Sequence, residues 1–113
     1  MSDKTPHPNE TEADTRANRI DPTLAAAGWE GAARVDGARV SREEMLWPGR
    51  IQSGGQKDSP KPADYVLRVN GHALAVMEAK RANLSVTEGR GQALDYATRI
   101  NARFAYCTNG IGY

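Results

Sequence analysis

The stretch from Asp64 to Lys80 limits the fold more than any other part of the chain. Tyr65–Val69 and His72–Ala79 are two strand-like runs separated by Asn70-Gly71, a dipeptide suited to the tight turn of a β-hairpin. The second run has Leu74 and Val76 at one parity and Ala73, Ala75, Met77 and Ala79 at the other. Apolar residues at both parities mark a strand covered on both faces. The chain must therefore place this strand centrally, between two packed layers.

The ends of this hairpin carry its chemistry. Pro62-Ala63-Asp64 opens the first strand, and Glu78-Ala79-Lys80 closes the second, fourteen residues beyond Asp64. Glu78 and Lys80 are two apart, so on a strand they share a face. Oxygen ligands for a hard cation beside an amine suit phosphodiester cleavage. In that reading Asp64 and Glu78 bind Mg²⁺ with the Ala79 carbonyl, and Lys80 orients or deprotonates the attacking water or stabilises the growing negative charge. Glu12 could supply a third carboxylate. A strand-entry cap at Asp64 and a charged strand end at Glu78–Arg81 are the plain alternative for the same residues. Glu78 and Lys80 sit at the edge of an apolar strand core, where charge is costly unless paired or used.

Register sets a condition on this site. A regular two-residue Asn70-Gly71 loop pairs Val69 with His72 and turns Asp64 and Glu78 to opposite faces. A three-residue loop, with Gly71 in the left-handed position of a bulge, puts both carboxylates on one face. The expectation is a bulge at the hairpin or irregular pairing near Asp64.

With 113 residues the chain is long enough for one small domain. Cys107 is the only cysteine, which excludes an intrachain disulfide and a cysteine-based metal cluster; its neighbours suggest a buried strand thiol. The N-terminus is polar and no apolar run could span a bilayer, which points to the cytoplasm and away from membranes. No Gly-rich Lys-Ser/Thr phosphate loop is present. Net charge is +1, but residues 57–103 carry eight basic and five acidic side chains, against seven and nine in residues 1–56. The second half can thus face a phosphate backbone, or simply be a solvated charged surface.

Residues 1–9 read as a disordered tail. Thr11 with Asp14 is an imperfect helix start, and Glu12 to Ile20 a short helix. Asp21-Pro22 is a second start or a kinked continuation. Gly28 ends the helix, and Trp29 anchors in the core. Residues 33–51 are weakly patterned, with a turn at Val35–Gly37 and a short apolar segment at Met45–Trp47. Residues 52–62 have loop composition. After the hairpin, Ser85 or Thr87 caps a helix whose apolar stripe is Leu94, Ala97 and Ile100. Gln92 and Tyr96, four apart, form its polar face. Gly89 and Gly91 loosen its start, tolerable where backbone must approach DNA or the sheet. Arg103 to Thr108 is a further buried strand, ended by Asn109-Gly110. The order of helix, β-meander, helix and strand gives an α/β domain with a mixed sheet; the last strand lies at the C-terminus, so truncation there is part of the reading.

Asp64, Glu78-Ala79-Lys80 and Gln92-Ala93-Leu94-Asp95-Tyr96 together resemble the PD-(D/E)xK nuclease core with its QxxxY helix. The combination is similar to the N-terminal nuclease domain of the restriction (R) subunit of type I restriction–modification enzymes. Glu12–Arg16, Ile20-Asp21-Pro22, Ala27-Gly28-Trp29 and Phe104–Gly110 are similar to that family too. The resemblance covers about residues 10–113, read as a partial PD-(D/E)xK domain. It implies a restriction-endonuclease-like core, a mixed central sheet flanked by helices. It also implies Mg²⁺-dependent cleavage of double-stranded DNA, with Asp64, Glu78 and Lys80 catalytic. Asp64, Glu78 and Glu12 become the metal ligands, and Gln92, Tyr96, Arg81 and Arg90 the DNA contacts. In the family this domain precedes ATP-driven motor domains, whose motifs this chain lacks, and the subunit docks on modification and specificity subunits. A stand-alone repair or junction nuclease, and a catalytically silent DNA- or partner-binding remnant, are the other functional expectations.

Overall fold

The computed structural model describes residues 9–47, 60–82 and 90–111. The chain order is α1 (Glu12–Thr15), a π-helical turn (Arg16–Ile20), α2 (Asp21–Ala26), β1 (Ala38–Leu46), β2 (Lys61–Val69), β3 (His72–Ala79), α3 (Arg90–Arg99) and β4 (Phe104–Thr108). The four strands form one sheet in the order β1-β2-β3-β4. The first three are antiparallel, and β4 lies parallel to β3 across the α3 crossover. This is the mixed sheet with flanking helices that the alternation of elements implies.

The first helical segment starts better than expected. The Asp14 N–H donates to Thr11 Oγ1 and the Thr11 N–H to Asp14 Oδ2, both at 3.1 Å, a complete capping box. Asp21 is not a cap: it has helical φ −58° and its N–H reaches back five residues to Arg16 O. Pro22, with no N–H to donate, is accommodated at the start of α2. The π turn adds one residue, so Thr15, Ile20 and Leu24, spaced five and four, are all buried. After α2, Trp29 N–H bonds Leu24 O and Gly28 N–H bonds Ala25 O, with Gly28 at φ +91°. This is the Schellman end expected of a C′ glycine, and Trp29 packs partly buried on the core.

β3 is central and covered on both faces. Ala75, Met77 and Ala79 join Tyr65, Leu67, Ile20 and Leu24 in one cluster. Val76 joins Val66, Ala63, Leu46, Tyr96 and Ala97 in the other. Cys107 is buried on β4.

Three expectations need correction. Residues 38–46, in the weakly patterned region, are a nine-residue edge strand whose burial does not alternate cleanly. β2 begins at Lys61, so the loop composition of 52–62 runs into a strand. On α3 the buried residues are Ala93, Tyr96 and Ala97, while Leu94 is 55% exposed. The packed stripe therefore runs through Ala93, Tyr96 or Ala97, and Ile100, and Tyr96 belongs to it. The expected tail lies almost wholly outside the described residues, as do the Ser85 and Thr87 caps and Gly89. Among the described residues no helix is long and apolar enough to cross a membrane.

Candidate active site

The hairpin turn is tighter than expected. Val69 pairs with His72, and Asn70 and Gly71 have φ +51° and +82°, a two-residue loop of the I′ kind. The compensation comes within β3. Leu67 pairs with Ala75 but Arg68 with Ala73, so Leu74 is an extra residue, a bulge. Beyond it Tyr65 faces Met77, the last pair of the ladder, and past that pair Asp64 and Glu78 are joined through side-chain-to-backbone hydrogen bonds. The expected irregularity is therefore a bulge three residues from the turn, with irregular pairing at Asp64, and not a longer loop.

The two carboxylates lock the strands at this end. Asp64 N–H donates to Glu78 Oε2 and Ala79 N–H to Asp64 Oδ2, each at 2.7 Å. Glu78 is only 2% exposed. Burial, with the charges of Asp64 and Glu12 adding, pushes its carboxyl up to about 8, against the pull of the Asp64 N–H and Lys80. Burial also raises Asp64, opposed by the Ala79 N–H, Arg16 and Lys80. Glu12 is raised by burial and then by Asp64. The ammonium of Lys80 favours the ionised form of all three. Glu12, Asp64, Glu78 and Lys80 thus act on one another electrostatically.

α1 is held over this sheet end by a buried network. Ala82 N–H donates to Thr15 Oγ1 at 3.0 Å, and Thr15 Oγ1 donates to Glu10 Oε1 at 2.9 Å. Arg19 grips the same Glu10 carboxylate through Nε and Nη2 at 2.8 and 2.9 Å. Thr15 therefore connects the helix that bears Glu12 to the segment just after Lys80.

Two residues that the motif did not single out stand beside Asp64. Arg16 pairs with Glu43, lies 3.8 Å from Asp64 Oδ1, and stacks over the Tyr65 ring at 5.1 Å. Glu43 falls between the pairs Arg42–Tyr65 and Glu44–Ala63, opposite Asp64, with φ +55°. Arg16 sits four residues after Glu12, a helical spacing that could have flagged it. Glu43 had no comparable signal.

The α3 candidates divide. Gln92 is exposed, and its Nε2 donates to Tyr96 Oη at 2.9 Å. Tyr96 is 2% exposed, its hydroxyl raised by burial and by the charge of Glu78. It therefore lies in the packed layer behind the site, and Gln92 is the member of the pair at the surface. Arg81 and Arg90 are exposed. A β-carbon at Gly91 would meet nothing within 4 Å, so the sheet does not require that glycine.

Among the described residues, no three carboxylate, histidine or cysteine side chains stand at metal-ligating geometry. Asp64 and Glu78 each give one oxygen to a backbone N–H. The donor chemistry nonetheless fits a hard divalent cation: carboxylate oxygens, mutually repelling and partly buried, gain most from a compact positive charge.

Residues 50–113 match the family model described as the type I restriction enzyme R protein N terminus. The chain is 31% identical over 109 residues to the type I restriction enzyme EcoAI endonuclease subunit of Escherichia coli, covering 93% of this chain and 13% of that protein. A solved fragment assigned to an HsdR subunit of a type I restriction enzyme from Vibrio vulnificus YJ016 superposes with a TM-score of 0.68 at 37% identity, over 88% of this chain and 19% of that one. A 64-residue stretch is 36% identical to part of the cytoplasmic dynein 2 heavy chain 1 of Chlamydomonas reinhardtii, 2% of that protein. The fold, the ordered motif residues and these similarities agree that the chain belongs to the family of type I restriction enzyme R protein N-terminal domains.

Proposed function

We propose that this chain is the DNA-cleaving domain of a type I restriction R subunit and hydrolyses phosphodiester bonds with a divalent cation, Mg²⁺, at Asp64 and Glu78. The observation that carries this is the pair of hydrogen bonds that ties Asp64 to Glu78 and Ala79 at one sheet end, with the Lys80 charge acting on both carboxyls. Asp64 and Glu78 would hold the cation, with Glu12 adding a carboxylate from the helix. When bound, Mg²⁺ supplies a Lewis acid that offsets charge on the phosphate and lowers the pKa of water. Lys80 places a positive group where negative charge builds on the scissile phosphate. Exposed Gln92, Arg81 and Arg90 contact the DNA backbone, and Tyr96 holds Gln92 in place. Residues 10–113 act as one domain in this reading. The chain spans about an eighth of the EcoAI subunit's length. ATP-driven translocation and docking on modification and specificity subunits would belong to other parts of such an enzyme.

Nicking of supercoiled plasmid tests the proposal. The purified chain should nick in Mg²⁺ and not in EDTA. Glu78→Ala and Lys80→Ala should each lose about a hundredfold or more in rate. Equal nicking by all three proteins would remove the site from the chemistry.

A further inference from the structure

Arg16 has two carboxylates to choose between. Its guanidinium pairs with Glu43 and stands 3.8 Å from Asp64 Oδ1, a distance that leaves attraction without a hydrogen bond. Stacking over Tyr65 fixes the plane in which it can move. The π turn sets this position: Arg16 and Asp21, five apart, both reach Tyr65, one over the ring and the other accepting its hydroxyl at 2.7 Å. Glu43 is exposed, yet its backbone is left-handed within a strand, a conformation a non-glycine residue holds only when its surroundings enforce it. That distortion falls at the residue opposite Asp64.

We infer that Arg16 and Glu43 are positioning residues that set the cation affinity of the site. Arg16 is the built-in counter-charge of Asp64, and Glu43 is the acceptor that draws it aside. The inference rests on the proposed cation site. The cluster sets four carboxyl side chains, Glu12, Glu43, Asp64 and Glu78, against two cationic ones, Arg16 and Lys80, an acidic excess that a divalent cation offsets. Arg16 competes with that cation for Asp64, and Glu43 relieves the competition.

The two side chains should therefore act with opposite signs, and Glu43 should act through Arg16. Binding of Mn²⁺ to the full chain, read by electron paramagnetic resonance of the free ion, tests this. Arg16→Met, which keeps an apolar stem on Tyr65, should tighten Mn²⁺ about tenfold. Glu43→Gln should weaken it several-fold in the wild-type background and have little effect in the Arg16→Met background. Arg16→Lys, which keeps the charge, should stay near the wild type. Unchanged or weaker binding by Arg16→Met overturns the inference, and so does an equal loss from Glu43→Gln in both backgrounds. If Arg16→Met does not fold, Glu43→Gln decides alone, and unchanged affinity overturns the inference. Glu78→Ala separates the underlying reading: Mn²⁺ bound as tightly as by the wild type means that the cation does not sit at this site at all.

Discussion

Glu78 concentrates the tension of this structure in one side chain. It is a carboxylate at 2% exposure, at the end of the central strand, facing another carboxylate. Its folded pKa of about 8 lies above its ordinary 4.5. The protonated form is therefore favoured by folding, and ionisation opposes it. The contribution to stability is complete below about pH 4.5 and is lost as the pH rises through about 8. Asp64 and Glu12 are raised too and act in the same direction. Denaturation of the chain in EDTA should show stability falling between pH 5 and 8, and Glu78→Gln should flatten most of that slope. A wild-type stability that rises across this interval would contradict the electrostatics described for Glu78. Glu78 and Lys80 are legible as a pair in the sequence because strand periodicity alone relates them, whereas Asp64 lies on the preceding strand and depends on the hairpin register. Arg16 is legible only through its helical spacing from Glu12, and its reach to Tyr65 depends on the π turn; Glu43 is not legible, because its strand lacks alternation.

Among the elements, small irregularities do the positioning. The Leu74 bulge decides whether Asp64 and Glu78 meet, and no local signal distinguishes it from a longer loop at Asn70-Gly71. β1 is hard to read because it pairs on one side only and carries Arg39, Arg42, Glu43 and Glu44 in nine residues, as charged edge strands do. The α3 stripe is misread because Tyr96 carries a hydroxyl yet packs its ring, with Arg99 stacked at 5.7 Å. Two glycines separate structural from functional demand. Gly110, at φ +81°, would place a β-carbon 2.7 Å from Arg19 Cβ. Gly110→Ala should therefore lower unfolding free energy by about 2 kcal/mol, measurable by urea denaturation. Gly91 lies in α3 with open space at its β-carbon position. Gly91→Ala should add about 0.5–1 kcal/mol of stability. If the backbone there lies against DNA, the same change should weaken DNA binding measured by fluorescence anisotropy.

At the scale of the molecule, the helices and sheet hold charges from separate parts of the chain at one end of the sheet. Glu12 and Arg16 come from the first helical segment, Glu43 from β1, Asp64 from β2, and Glu78 with Lys80 from the end of β3. The network of Glu10, Thr15, Arg19 and Ala82 fixes the helix over that end. The α/β class and the central place of β3 follow from its two apolar parities, whereas the four-strand order depends on β1, which only its pairing reveals. The central claim is that Asp64 and Glu78 hold a divalent cation, and thermal melting of the chain with and without Mg²⁺ tests it most directly. At a hundredfold excess over its dissociation constant, a ligand of the folded state adds about 2.7 kcal/mol, about 10 °C for a domain of this size. Mg²⁺ should raise the melting temperature of the wild type by that order, and leave Glu78→Ala and Asp64→Ala unmoved. No shift in the wild type, or the same shift in all three proteins, would contradict the account.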